Sequence, residues 1–268
     1  MLTREERAKI FADAKAIITN DHFVYAKKPD GWYHGYDYVN KDAISPNTVS
    51  VSFLCEDIAE HFYNYAVEVV VGPTTGGVIL SQWTTKRLLS LSSGDRDVQA
   101  VYADEEDVLE QKEFIGNMPF EIPSASGTVK INFLPEQSQM LGPRYLARAE
   151  YCAKVGTRRI IKRGYDKIVK DHKCLIVEDV INSGKTIKDV AEAVLKAGGN
   201  VVGVGALCNR SGGRVSAETL GVPELFSLLD LNMKMFPEAD CPICRERGPK
   251  SVRTDLGKGK EFLARISL

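Results

Sequence analysis

Apolar residues along this chain switch between a helical and a strand rhythm. From Ser52, the segment SFLCEDIAEHFYNYA places Phe53, Ile58 and Phe62 at helical spacing, and the β-branched run Val67 to Val71 follows. A glycine-rich turn, Gly72-Pro-Thr-Thr-Gly-Gly77, leads into a second apolar helical pattern from Val78 to Leu91. Val98 to Tyr102 reads as a further strand. Cys174 to Val177 is a short apolar strand, and Ile187, Val190, Ala191, Val194 and Leu195 then fall at i, i+3, i+4, i+7 and i+8, stopped by Gly198-Gly199. Val201 to Leu207 is a buried-type strand that completes a βαβ unit of about thirty residues. These elements predict an α/β fold, an open, mainly parallel twisted sheet flanked by helices, whose ligands sit at the C-terminal ends of the strands.

The rhythm breaks between Ala103 and Arg159, an acidic stretch with Pro and Gly. It contains the alternating Val129, Ile131 and Phe133 and a helix expected from Pro143 to Lys154. This marks an insertion, residues 104–159, in a core of residues 51–230. Residues 1–50 then form an amino-terminal helix and hood segment, and residues 231–268 a carboxy-terminal extension.

Composition narrows the function classes. With 268 residues and 44% hydrophobic content the chain can build a substantial core. Thirty-five basic residues nearly balance thirty-six acidic ones, for a net charge of −1, so bulk charge gives no reason to expect a nucleic-acid partner. No apolar run approaches the roughly 20 residues that span a bilayer, and the first residues form an amphipathic helix pattern without a signal-peptide core, so the expectation is a cytoplasmic protein without a membrane partner. Of six cysteines, Cys55, Cys174 and Cys208 lie in apolar segments, as reduced core cysteines do. Cys241-Pro-Ile-Cys244 has ligand spacing but supplies half of a tetrahedral zinc site, and no second pair or nearby histidine completes it in the chain, so a reduced structural turn is expected unless a dimer shares the site.

The densest chemistry is Cys174-Leu-Ile-Val-Glu-Asp-Val-Ile-Asn-Ser-Gly-Lys-Thr-Ile187. Its Gly-Lys-Thr ending suggests a P-loop, but the position where a P-loop has its first glycine is Asp179. An aspartate there sets negative charge against phosphates and lacks the backbone freedom of glycine. A strand ending in Glu178-Asp179, then a tight turn from Asn182 to Thr186 opening a helix, instead suits one phosphate monoester at the turn, with the carboxylates facing vicinal hydroxyls or a hydrated magnesium ion.

This motif resembles the phosphoribosyl diphosphate (PRPP) motif of type I phosphoribosyltransferases. Val69-Val-Val-Gly-Pro-Thr-Thr-Gly-Gly77 is similar to the pyrophosphate loop of the orotate branch, and His22-Phe-Val24 with Asp37-Tyr-Val-Asn-Lys41 to its amino-terminal segment. Ala206 to Gly213 is similar to the strand that ends in a base-facing arginine, here Arg210, and the Cys241-to-Cys244 turn to a late turn of some members. The resemblance spans about Ala16 to Gly213, with the insertion as a gap. It implies the type I phosphoribosyltransferase fold and a Mg2+-dependent transfer of ribose 5-phosphate from PRPP to orotate, in pyrimidine nucleotide biosynthesis, by a homodimer with shared active sites. The alternatives are a purine or other-base transferase and a PRPP-sensing regulator.

Carried onto this sequence, the resemblance implies catalysis by Glu178 and Asp179, with Lys162, Arg163 and Lys167 from the basic segment Arg158 to Lys173, where the family has a mobile loop; Lys170 and His172 are further candidates there. PRPP would be bound by Glu178, Asp179, Val180, Ile181, Asn182, Ser183, Gly184, Lys185 and Thr186 and by Thr74, Thr75, Gly76 and Gly77. The base would meet Asn182, Arg210, Tyr38 and Val39, and Mg2+ would be held at Glu178 and Asp179 largely through water and the diphosphate. A guanidinium suits orotate's carboxylate, which a neutral purine lacks. Asn182 stands where the orotate branch has threonine, Lys185 where it has a small residue, and Gly76 where some members have lysine. Lys185 is expected to touch the 5-phosphate directly.

Overall fold

A computed structural model describes residues 1–25, 27, 31–92, 96–117, 125–133 and 146–266. It contains two compact units, Met1–Asp104 with Ile161–Leu268, and Glu105–Ile160.

The first unit opens with helix α1 (Arg4–Asp13), where the Thr3 hydroxyl accepts from the Glu6 amide and the Glu6 carboxylate accepts from the Thr3 amide. Four short strands follow: β1 (Ile17–Ile18), β2 (Phe23–Val24), β3 (Tyr33–Gly35) and β4 (Tyr38–Val39). β1 pairs with β4 and β2 with β3, both antiparallel. Helix α2 (Thr48–Phe62) begins earlier than the apolar pattern indicated, because the Asn47 side chain accepts from the Ser50 amide and caps it. Strand β5 (Val69–Pro73) is buried at every position, as a central parallel strand must be, and leads through the glycine turn into α3 (Gly76–Leu91). Strand β6 (Gln99–Asn117) starts beside β5 but continues far past the expected Tyr102, into the second unit.

In the second unit, the rest of β6 is joined by β7 (Ala125–Phe133) and β8 (Leu146–Ile160), in the order β6-β8-β7. The helix expected from Pro143 to Lys154 is overturned: residues 143–145 lie outside the described residues, and from Leu146 the chain is a strand paired antiparallel with β7. Its alanines favour helix in isolation, but alternation serves a strand here, with Ala149 and Ala153 buried and Arg148, Glu150 and Lys154 exposed. Opposite charges face each other across β6 and β8, Arg148 with Glu113, Lys154 with Asp107, Arg158 with Glu106 and Arg159 with Glu105. Each such surface pair contributes about 0–1 kcal/mol.

Back in the first unit, α4 (Tyr165–Val169), β9 (Lys173–Ile181), α5 (Lys185–Lys196), β10 (Asn200–Asn209), α6 (Ala217–Leu220) and β11 (Leu225–Asp230) complete the sheet. Its strands run β11-β10-β9-β5-β6, with every neighbouring pair parallel. Alternate residues of β9 enter different cores: Leu175 and Val177 join α2 and α3, while Cys174 and Ile176 join Ile187, Val190 and Val194 of α5. Leu195, assigned to the same helix face, is instead 62% exposed. Burial pushes the Cys55, Cys174 and Cys208 thiols up to about 12, so these cysteines act as small apolar side chains.

The chain ends with β12 (Phe236–Pro237), α7 (Pro242–Arg247) and α8 (Gly259–Ile266). β12 pairs with β3, placing Phe236 opposite His34 and tying the two ends of the sequence together. His22 and His34 lie against Cys241 and Cys244, so nearby histidines do complete the cysteine pair.

Candidate active site

The apolar run of β9 ends in two carboxylates that inherit its alternation. Glu178 continues the parity of Cys174 and Ile176, whereas Asp179 continues that of Leu175 and Val177 and so faces the α3 side. Glu178 is 7% exposed, and its Oε1 accepts from the Asp179 amide at 3.0 Å. Burial, then the charge of Asp179, pushes its carboxyl up to about 8. The folded protein therefore keeps a proton that the unfolded chain loses near its ordinary value of 4.5. Between those values the folded state binds more protons, so its stability falls as pH rises. Replacing Glu178 with Gln should remove this slope: urea unfolding at pH 5 and pH 8.5 should show the variant gaining on the wild type at the higher pH, by on the order of a few kcal/mol. Equal pH slopes would exclude a buried, protonated Glu178.

Asp179 Oδ1 accepts from the Val180 amide at 2.6 Å, and Oδ2 accepts from Lys41 Nζ at 2.7 Å. Burial opposes the Lys41 charge, but the bond and charge of Asp179 outweigh it and hold the ammonium above its ordinary value. Lys41 closes the segment Asp37-Tyr-Val-Asn-Lys41, and the sequence gives it no site role. Nothing in its local pattern marks it, because the contact joins positions far apart in sequence.

Beside this pair lies a cleft of ≈ 200 Å³ lined by Tyr38, Val39, Lys41, Asp179, Asn182 and Arg210, among others. All four residues assigned to the base are therefore in one place. The Arg210 amide donates to the Ile181 carbonyl at 3.0 Å, fixing the end of β10 against the end of β9. Its guanidinium carbon lies 5.1 Å from the centre of the Tyr25 ring, and the Tyr25 hydroxyl donates to the Asp37 carbonyl. Among the described residues, the buried Nε of Arg210 has no hydrogen-bond acceptor. Such a donor is costly to leave unpaired.

The glycine turn wraps closely around Asp179. A β-carbon at Gly76 would stand 1.8 Å from Asp179 Oδ2, and one at Gly72 would stand 1.9 Å from the Gly77 carbonyl oxygen. The Thr74 amide donates to the Ala103 carbonyl at 3.0 Å, and Thr75 is exposed at the mouth of the turn.

On the other side, Gly184 takes φ +75°, where a β-carbon would also meet Leu220 at 2.8 Å, and α5 begins at Lys185. Asn182, Ser183 and Thr186 are accessible around this turn, and the Lys185 amide donates to Ser183 Oγ at 3.4 Å. Two residues assigned to PRPP do otherwise. Ile181 is 1% exposed and offers no side-chain contact. Lys185 Nζ is paired with Asp189 one turn along the helix, so a phosphate contact requires that pair to open.

The basic segment is divided. Arg163 Nε and Lys162 Nζ lie 3.0 and 3.6 Å from Asp104 Oδ2, just past the Ala103 that pairs with Pro73, hence at the edge of the glycine turn. Lys167 is exposed on α4, which leads away from that edge. Lys170 and His172 precede the start of β9, six residues or about 20 Å of extended strand from Asp179, at the wrong end of the sheet for the role assigned to them.

Residues 45–220 match the family model described as a phosphoribosyl transferase domain. The orotate phosphoribosyltransferase of Caldicellulosiruptor bescii is 25% identical over 248 residues, 92% of this chain and 95% of that protein. The orotate phosphoribosyltransferase of Thermus thermophilus is 36% identical over 130 residues, 48% of this chain and 66% of that protein. A crystal structure of Mycobacterium tuberculosis H37Rv orotate phosphoribosyltransferase in complex with inorganic phosphate aligns with TM-score 0.47 and 16% identity, covering 85% of this chain and 95% of that one.

Proposed function

The chain belongs to the phosphoribosyl transferase family, and from that premise we propose that it transfers ribose 5-phosphate from PRPP to orotate, giving orotidine 5′-monophosphate and pyrophosphate. The observation that carries the choice of base is Arg210, a cationic side chain that lines the same cleft as Asn182 and Lys41. Orotate's carboxylate suits a guanidinium there, and a neutral purine offers no such partner.

In this reading the Asn182-to-Thr186 turn anchors the 5-phosphate, and the glycine turn faces the diphosphate. Glu178 and Asp179 hold the ribose hydroxyls beside the anomeric carbon, where positive charge develops as the bond to the diphosphate breaks. Lys162 and Arg163, at the edge of the glycine turn, are the basic residues best placed to meet the departing negative charge.

Both oxygens of Asp179 already accept hydrogen bonds, so a hydrated Mg2+ would be held there through water and the diphosphate rather than by direct ligation. When bound with PRPP, that ion supplies neutralisation of diphosphate charge. Homodimerisation and action in pyrimidine biosynthesis belong to the same proposal.

The test is spectrophotometric. With PRPP and Mg2+, the ultraviolet absorbance of orotate should fall, while hypoxanthine, guanine and adenine should remain. Consumption of a purine instead, or PRPP binding without turnover of any base, would overturn the choice of orotate.

A further inference from the structure

Outside the cleft, His22, His34, Cys241 and Cys244 converge, with ligand atoms that all lie within 4.8 Å of one another. Both histidines and Cys241 are 0% exposed. Cys244 Sγ lies 3.6 Å from His22 Nε2 and 3.4 Å from His34 Nδ1, and Cys241 Sγ lies 3.7 Å from His22 Nε2. A tetrahedral zinc ion, about 2.3 Å from sulfur and about 2.0–2.1 Å from nitrogen, spaces sulfur and nitrogen donors about 3.6 Å apart. The imidazole nitrogens stand 2.8 Å apart and need open only to about 3.3 Å.

The surroundings orient these donors. Ser251 Oγ donates its single hydrogen to the Gly248 carbonyl at 2.7 Å and therefore accepts from His22 Nδ1, also at 2.7 Å. That leaves His22 Nε2 bare and directed at the cluster, as a metal-binding histidine requires. The Cys244 amide donates to Cys241 Sγ at 3.4 Å, a bond that steadies a thiolate. All six cysteines are free, so no disulfide competes in this geometry.

We propose that His22, His34, Cys241 and Cys244 bind one Zn2+ in a closed structural site. Two sulfur and two imidazole donors suit zinc and not Mg2+ or Ca2+, which take oxygen. With all four positions filled by protein the ion has no open site for substrate. Its role is to clamp the carboxy-terminal segment to the β2–β3 hairpin, replacing with one ion the contacts that a small three-stranded sheet lacks. The clamp adjoins the base cleft: Phe23 stacks on Tyr38, which lines it, and Tyr25 lies under Arg210.

The full chain, expressed without a histidine tag and purified with reductant and without chelator, should hold about one zinc per chain by elemental mass spectrometry. A C241S/C244S variant should hold less than about a tenth of that. Should that variant fail to fold, cobalt exchanged into the wild type should give the intense visible bands of a tetrahedral site and the near-ultraviolet bands of thiolate ligation. Zinc-free, fully folded wild type, a Cys241–Cys244 disulfide in the reduced preparation, metal content unchanged in the variant, or an octahedral cobalt spectrum would each overturn the site. None of these readouts requires turnover, so failure of the orotate reading would leave the zinc proposal standing.

Discussion

Replacing Gly76 with alanine is expected to cut kcat/KM by roughly 10²-fold or more while the protein stays folded, because a displacement of about 1 Å at a reacting centre has that scale of effect. The added β-carbon would fall 1.8 Å from Asp179 Oδ2 and 2.8 Å from its Cγ, well inside contact distance. What yields is the end of a short side chain, not backbone. The carboxylate must swing away, breaking its bond to Lys41 Nζ and moving off the position that the ribose hydroxyls would use. The core clusters on either side of β9 do not include Gly76, so they remain packed. Kinetics with circular dichroism and thermal unfolding check the claim: a variant with wild-type turnover would show that Asp179 is not needed where it stands. A variant that is unfolded would show that the turn is structural instead.

The strand, carboxylate pair and the tight turn from Asn182 to Thr186 occupy consecutive positions, so hydrophobic alternation and turn chemistry place them together without knowledge of the rest of the chain. Asn182 and Arg210 come from different segments, but both stand at the C-terminal ends of neighbouring parallel strands, where topology alone makes them converge.

What was missed depends on contacts between distant segments. Lys41 reaches Asp179 from a short strand-and-turn segment with no helical or strand rhythm to orient it. His22 and His34 meet Cys241 and Cys244 only because β12 pairs with β3. Charge density in the basic segment suggested one functional loop, yet it runs from one end of the sheet to the other, leaving Lys162 and Arg163 near the site and Lys170 and His172 far from it. From Leu146, alanine propensity indicated a helix, and strand pairing prevailed.

Asp179→Asn should lower kcat by roughly 10²–10³-fold, the loss typical when one electrostatic contact to developing charge is removed. The substitution keeps shape and one hydrogen-bond acceptor but removes the negative charge that the proposed reaction sets beside the anomeric carbon. Its cost to folding is small. The Lys41 side chain is 44% exposed, so solvent screens the ion pair and its loss amounts to about 0–1 kcal/mol. Neutralising Asp179 also frees Lys41 from its counter-charge, which brings a net positive charge into the cleft and should tighten an anionic ligand. The combination is diagnostic: a large fall in kcat, a KM for the anionic base unchanged or lowered, and a melting temperature within a few degrees of the wild type. A rise in KM with kcat intact would assign Asp179 to ground-state binding alone, and an unchanged rate would mean that the catalytic charge lies elsewhere.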